Sequence, residues 1–239
     1  MEWNDWSERL KDVLQLKFSP VAVTYSNEPS RDAVKGKSWV CGAIKKAASG
    51  DIINISATSS ACPGGSWHLG LRRQTKEQMK VVGKFIVEGE KLFSSLSSLN
   101  RMMELSKARP PYDLAEYIIF SPLEKAEKMP DVVIFTCNAW QAARLINLVC
   151  YTDGIPLECD PSGSFCTSAV AYPLVTGRVN VTFGDVSARK LQKFTEDELF
   201  VSVPFPLMRS LVDSIEKSTA GTAKEERPPE FARMLKEAE

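Results

Sequence analysis

Six cysteines stand at positions 41, 62, 137, 150, 159 and 166, and the chain has one histidine, His68. Their spacings are irregular, and no CxxC pair occurs, which disfavours a compact zinc knuckle or a thioredoxin-like motif. The densest chemistry lies in SSACPGGSWHLGL, residues 59–71, where Cys62 precedes Pro63, Gly64 and Gly65 and His68 follows. Proline brings no N–H, and glycine lets a backbone approach a ligand closely. Cysteines that ligate iron–sulfur clusters often have such neighbours. The free N–H groups of such a loop can also hydrogen-bond cluster sulfurs or an anion. The same residues also read as a tight turn around a small buried thiol.

The other thiols divide by context. Cys166 lies among small residues in GSFCTSA. Cys41 stands near a helix start in WVCGAIKKA, where a thiolate or an anionic centre is favoured, although packing beside Ile44 explains it as well. Cys137 ends the apolar run DVVIFT just before Asn138. Ligands gather beyond the carboxyl ends of strands in open α/β sheets, so it is a candidate reactive thiol. Cys150 reads as core, and Cys159 in LECDPSG has no clear partner. His68, six residues after Cys62, fits no zinc finger. It is a candidate acid–base group or hydrogen-bond donor to a bound species, or a structural donor to a carbonyl. Trp67 would wall a pocket or fill the core, and Gln141 would bind a ligand or face solvent. The sequence has no GxGxxG, GxxxxGK[ST] or GxSxG, so nucleotide-phosphate binding and a nucleophile elbow have no motif support.

These residues need elements to position them. Trp3, Trp6, Leu10, Val13 and Leu14 recur at helical spacing, with Asp5 and Glu8 as a capping box. PVAVTY after Ser19 reads as a strand. A helix over 39–48 ends at Gly50, and a strand follows over 52–57. Thr75 and Gln78 cap a helical region reaching about Ser106, broken near Gly89. AEYIIFSPL and DVVIFTC are strand-like, and Asn138 caps a helix to about Tyr151. Strands near 179–183 and 199–203 and a helix over 206–218 complete the second half. The charged tail carries Phe231, Met234 and Leu235 on one side of a short helix, expected to dock on its own domain. Strands alternating with helices predict an α/β class, with mixed α+β as the variant. Two similar βαβ-containing halves would span 1–107 and 108–219, with a tail over 220–239, all packed as one globular unit. Gly50 to Cys62 and Gly154 to Cys166 are equal intervals, and Ser60 then matches Ser164. A duplication on this register would set Cys62 and Cys166 in equivalent places across an interface, where ligand sites form.

The chain of 239 residues is 44% hydrophobic and balances 30 basic against 30 acidic residues. That is enough apolar content for a sizeable core. No net field draws it to nucleic acid or an anionic membrane. The N-terminal segment lacks the basic start and apolar run of a signal peptide, and no segment is long enough to span a bilayer. The expected location is the cytoplasm, where cysteines stay mostly reduced.

PVAVTY, VCGAIKKAASG, CPGGSWHLGL, PDVVIFTCNAWQAARL and FCTSAVAYPLVTG together resemble the uncharacterised domain-of-unknown-function family 169, over about residues 10–218. The resemblance implies a fold-level grouping and no assigned activity. It also implies an association with anaerobic bacteria and archaea. By the same resemblance, cysteines at the places of Cys41, Cys62 and Cys166 recur, while Cys137, Cys150 and Cys159 are particular to this chain.

The leading expectation is a 4Fe–4S cluster on Cys41, Cys62 and Cys166, with one iron open to a small-molecule substrate or sulfide. His68 would move a proton or steady the bound group, and the partner would be that substrate or a redox protein. Two alternatives stand beside it. One is a non-catalytic binding or regulatory module with a pocket lined by Trp67, His68 and Gln141. The other is a structural zinc or thiolate site built from the three cysteines and His68. A geometric condition applies to any metal reading. The three sulfurs must converge within about 7 Å, since metal–sulfur bonds are about 2.3 Å long.

Overall fold

Runs of β-branched and aromatic residues form the strands, and both faces of the sheet they build are covered. The computed structural model describes residues 1–105, 108–161 and 163–238; the expected helix end at Ser106 and the half boundary at Lys107 lie outside them. In chain order the elements are α1 (Glu2–Leu14), β1 (Val21–Ser26), α2 (Val40–Ala48), β2 (Ile53–Ser56), α3 (Pro63–His68), α4 (Lys76–Lys84) and α5 (Leu96–Leu105). Then come β3 (Tyr117–Pro122), β4 (Val132–Cys137), α6 (Ala139–Cys150), α7 (Tyr172–Thr176), β5 (Asn180–Thr182), α8 (Val186–Gln192), β6 (Leu199–Pro204), α9 (Phe205–Asp213) and α10 (Pro229–Ala238). Two π-helical segments, Phe85–Gly89 and Thr167–Ala171, continue α4 and lead into α7.

The strands form one sheet in the order β2-β3-β1-β4-β6-β5, and every neighbouring pair is antiparallel. The class is therefore mixed α/β. Because β1 and β2 both run against β3, they point the same way with β3 between them; β4 and β5 do the same around β6. Each βαβ unit is split by a third strand.

All six residues of β4 are buried, which is why its sequence is apolar on both faces apart from Thr136, rather than alternating. Val132 and Ile134 join the core under α2, with Val21, Val23, Ile53, Ile55 and Phe120. Val133, Phe135 and Cys137 join the opposite core with Trp6, Leu10, Leu14, Leu145, Met208 and Leu211. α1, α6 and α9 thus cover one face. α2, α8 and the Thr167–Ala171 segment cover the other.

The strand order reads the same from both ends when β1, β2, β3 are set against β4, β5, β6. The register expected from Gly50 and Gly154 does not follow that symmetry. Cys62 comes after β2, whereas Cys166 comes before β5. The topological counterpart of Cys166 is Cys41. Each stands at the start of a helical segment on the same sheet face, and that segment leads through a positive-φ glycine, Gly50 or Gly177, into the outer parallel strand of its half.

Other local expectations divide similarly. The capping box at Thr75–Gln78 and the Asn138 cap are present, and Gln141 completes a second capping box at Asn138, which was not anticipated. Asp5 and Glu8 form none, because α1 already begins at Glu2. α8 was not anticipated, its short VSARKLQ run showing little periodicity. α10 leaves Phe231 and Met234 exposed rather than docked; the side chain of Leu235 is outside the described residues.

Candidate functional site

Cys62 is the N-cap of α3, and its sulfur accepts the Gly65 N–H at 3.1 Å. The proline at the first helical position fixes the turn that makes this contact. Ser60 reinforces the entry: the Cys62 N–H donates to Ser60 Oγ at 3.2 Å, and that hydroxyl donates to the Cys62 carbonyl at 3.0 Å. Cys166 arrives from the other half. Its neighbour Phe165 donates its N–H to Asp185 at 2.8 Å, and Asp185 also caps α8 through the Ala188 N–H at 2.6 Å. The fully buried Phe165 ring lies 4.4 Å from Phe200 and 5.8 Å from Phe194. This aromatic cluster holds the Cys166 loop against the sheet.

Gly65 is where the two loops meet. A Cβ there would stand 3.2 Å from Cys166 Sγ, 3.3 Å from Cys62 Sγ and 3.0 Å from Val40 Cγ2. Both sulfurs therefore lie around one point, separated by no more than the sum of the first two distances. Those two thiols meet the distance condition set by the sequence. Cys41, next to Val40, is near enough to both that each raises its pKa or has its own raised by it. Cys41 also accepts a hydrogen bond from the Gln192 side chain.

The thiols are held neutral. Burial pushes Cys41 up to about 11, with Cys62 and Asp185 adding to the effect. Burial raises Cys166 well above its ordinary value, reinforced by Cys62, Cys41 and Asp185. Cys62 is raised by burial too, but the Gly65 and Gly64 N–H groups oppose the shift. Of the three, Cys62 has the loop amides that favour a thiolate. Among the described residues, no group of three or more His, Cys, Asp or Glu side chains is placed to hold a metal ion.

His68 ends α3. Its Nδ1 is 3.0 Å from Thr167 Oγ1, which is itself 2.8 Å from Ser164 Oγ. Burial and the nearby Arg109 push its pKa down to about 4, so the ring is neutral at pH 7. Trp67 lies edge-on to His68 at 4.9 Å and carries the Arg109 guanidinium 3.7 Å above its ring.

Gln141 is elsewhere. Its Oε1 accepts the Asn138 N–H, and its Nε2 donates to the Leu14 and Gln15 carbonyls at 3.2 and 2.7 Å. It ties α6 to the end of α1 on the opposite side of the sheet and belongs to no pocket with Trp67 and His68. Cys137 is buried in that opposite core, its thiol pushed up to about 12 by burial. This is the reverse of an activated nucleophile. Cys150 sits at the end of α6, and Cys159 is exposed. Sequence reasoning missed Asp185, Gln192 and Arg109, which act only through tertiary contacts. The DVS run, a side-chain cap before a short helix, was the one local signal for Asp185.

The profile of the family described as "DUF169: Uncharacterised ArCR, COG2043" matches residues 9–214. The chain belongs to this family. An uncharacterised protein of Methanocaldococcus jannaschii is 26% identical over 158 residues, which is 65% of this chain and 66% of that relative, just under two thirds of its length. No solved structure matches the chain significantly. The DUF169 match spans every strand, together with Cys41, Cys62 and Cys166. Among the described residues no helix is long and apolar enough to cross a membrane.

Proposed function

We propose that this DUF169 protein binds an iron–sulfur cluster through Cys41, Cys62 and Cys166, and that the site acts on a small molecule by redox or sulfur chemistry. The observation that carries the reading is the position of Gly65. Cys62 and Cys166, from separate halves of the chain, point at the one place where a side chain would separate them. A side chain there would crowd both sulfurs, so the glycine lets the two cysteine loops approach one another closely.

A polynuclear cluster asks for a different arrangement from a single ion. Each thiolate takes its own iron, so three sulfurs can serve one cluster without all binding a single ion. The site supplies N–H groups that suit cluster sulfurs: Gly64 and Gly65 beside Cys62, and the Gln192 amide beside Cys41. With three cysteine ligands, the group would supply one iron open as a Lewis acid or redox centre. His68, a neutral ring on the helix capped by Cys62, would steady a bound group by hydrogen bonding rather than protonate it, since its pKa near 4 leaves little imidazolium at pH 7.

Anaerobic reconstitution with iron and sulfide tests this. The expected product is brown, with broad absorbance near about 400 nm from thiolate–iron charge transfer. Serine at Cys41, Cys62 or Cys166 should lower iron content sharply, while serine at Cys137, Cys150 or Cys159 should not. Colourless, iron-free protein after reconstitution would overturn the proposal.

A further inference from the structure

Beside the thiols lies a small cleft, about 10 Å³ in volume, lined by His68, Met102, Met103, Ala108, Arg109, Ser164 and Thr167. Two of these residues are tied to the sulfurs through the chain. His68 ends the helix that Cys62 caps, and Thr167 follows Cys166. Arg109 is brought here by the segment before β3. Asp113 donates its N–H to the Gly70 carbonyl at 3.2 Å. Gly70 has φ +76°, and a Cβ there would meet the Pro111 carbonyl oxygen at 2.5 Å, so that segment lies directly on the turn after His68.

The polar groups in the cleft are unbalanced. Among the described residues no Asp or Glu lines it. Among the described residues Arg109 has no carboxylate partner within ion-pair distance, and no hydrogen bond engages its guanidinium. Its five N–H donors are left for a ligand, while stacking on Trp67 fixes the plane of the fork. His68 Nδ1 is occupied by Thr167. When the hydroxyl relay runs from Ser164 through Thr167 to Nδ1, the ring proton sits on Nε2, which becomes a donor. Methionine and alanine form the remaining walls. That space admits about one water-sized group, so only the smallest anions suit it, seated at the mouth against exposed Arg109.

We propose that this cleft is an anion subsite that takes a small carboxylate, held by the Arg109 fork and hydrogen-bonded by His68, as the substrate of the thiol site. Assigning the carboxylate as substrate rests on the cluster reading; the anion site itself does not. The test is calorimetric titration at pH 7 of formate and acetate, with formamide and acetamide as neutral analogues of the same shapes, on iron-free and reconstituted protein. Formate or acetate should bind both forms, and the amides should bind at least tenfold more weakly. Arg109→Gln, at an exposed residue whose loss spares the core, should weaken carboxylate binding at least tenfold, and Arg109→Lys should fall between. No carboxylate binding, equal binding of the amides, or full affinity in Arg109→Gln would each overturn the subsite. Carboxylate binding in a protein that takes up no iron would sink the cluster reading and leave this one standing. A protein that forms its cluster yet binds no carboxylate would do the opposite.

Discussion

Gly64 and Gly65 are adjacent glycines in one short helix, and the structure assigns them opposite responses to the same substitution. An added Cβ at Gly64 meets nothing within 4 Å. At Gly65 it meets Val40 at 3.0 Å, Cys166 Sγ at 3.2 Å and Cys62 Sγ at 3.3 Å. Neither glycine has a positive φ, so backbone strain is not involved. Alanine gains about 0.5–1 kcal/mol over glycine in a helix, and Gly64→Ala should show some of that gain. At Gly65 the gain is opposed by overpacking, which costs about 1–3 kcal/mol in a filled core. The three contacts fall inside the usual carbon separation of about 3.5–4.0 Å, so a net loss of about 1–2 kcal/mol is expected. In a chain of this size each kcal/mol moves Tm by about 2–4 °C, so Gly65→Ala should melt about 2–8 °C lower. Thermal unfolding of the iron-free protein measures this directly. If the proposed cluster forms, the same variant should take up less iron on reconstitution, because the added methyl group would crowd Cys62 and Cys166. If Gly65→Ala matches Gly64→Ala in both Tm and iron content, the convergence of Cys62 and Cys166 is not what the glycine serves.

Four further outcomes follow from the same geometry. In the iron-free protein Cys41 is raised from 9.0 to about 11, so its contribution to stability is full below pH 9 and is lost as pH rises through 11; alkylation by iodoacetamide at pH 7 should mark exposed Cys159 well before Cys41 or Cys166. His68 is lowered from 6.5 to about 4, so its contribution is full above pH 6.5 and is lost as pH falls toward 4, by about 3 kcal/mol at most; urea unfolding of wild type against His68→Gln between pH 7 and pH 4 should show the difference shrink. Phe165→Ala should destabilise by about 3–5 kcal/mol through loss of the ring cluster under Cys166, read as a drop in denaturant midpoint. Gln141→Ala should cost about 0.5–2 kcal/mol through its capping box and its bonds to α1 yet leave iron uptake unchanged, and a fall in iron content would contradict its placement away from the thiols.

Much of the scaffold is written locally. The strand DVVIFTC, the Thr75 and Asn138 caps and the amphipathic face of α1 are all set by residues within one or two turns of each other, so periodicity and capping chemistry reveal them. The glycine-rich setting of Cys62 was also legible before any fold was known. The meeting of Cys62 with Cys166 was expected only through a duplication whose register the fold does not follow. The interval from Gly50 to Cys62 suggested the wrong counterpart, because equal spacing in sequence says nothing about which side of a strand a loop falls on. The sheet order decided it, by placing Cys41 and Cys166 at the starts of helical segments on the same face. Gln141 looked like a site residue because an exposed amide near a cysteine is locally plausible, and only the docking of α1 on α6 uses up its hydrogen bonds. Arg109 carried no signal at all, since a cation has chemical meaning only beside the ring it stacks on and the cleft it faces. Sequence by itself determined which residue types were present and which local shapes they favour. Tertiary structure alone decided which of them meet, because hydrogen bonds within a turn depend on near neighbours, whereas the meeting of Cys62 with Cys166 depends on how a six-stranded sheet brings two distant loops to one glycine.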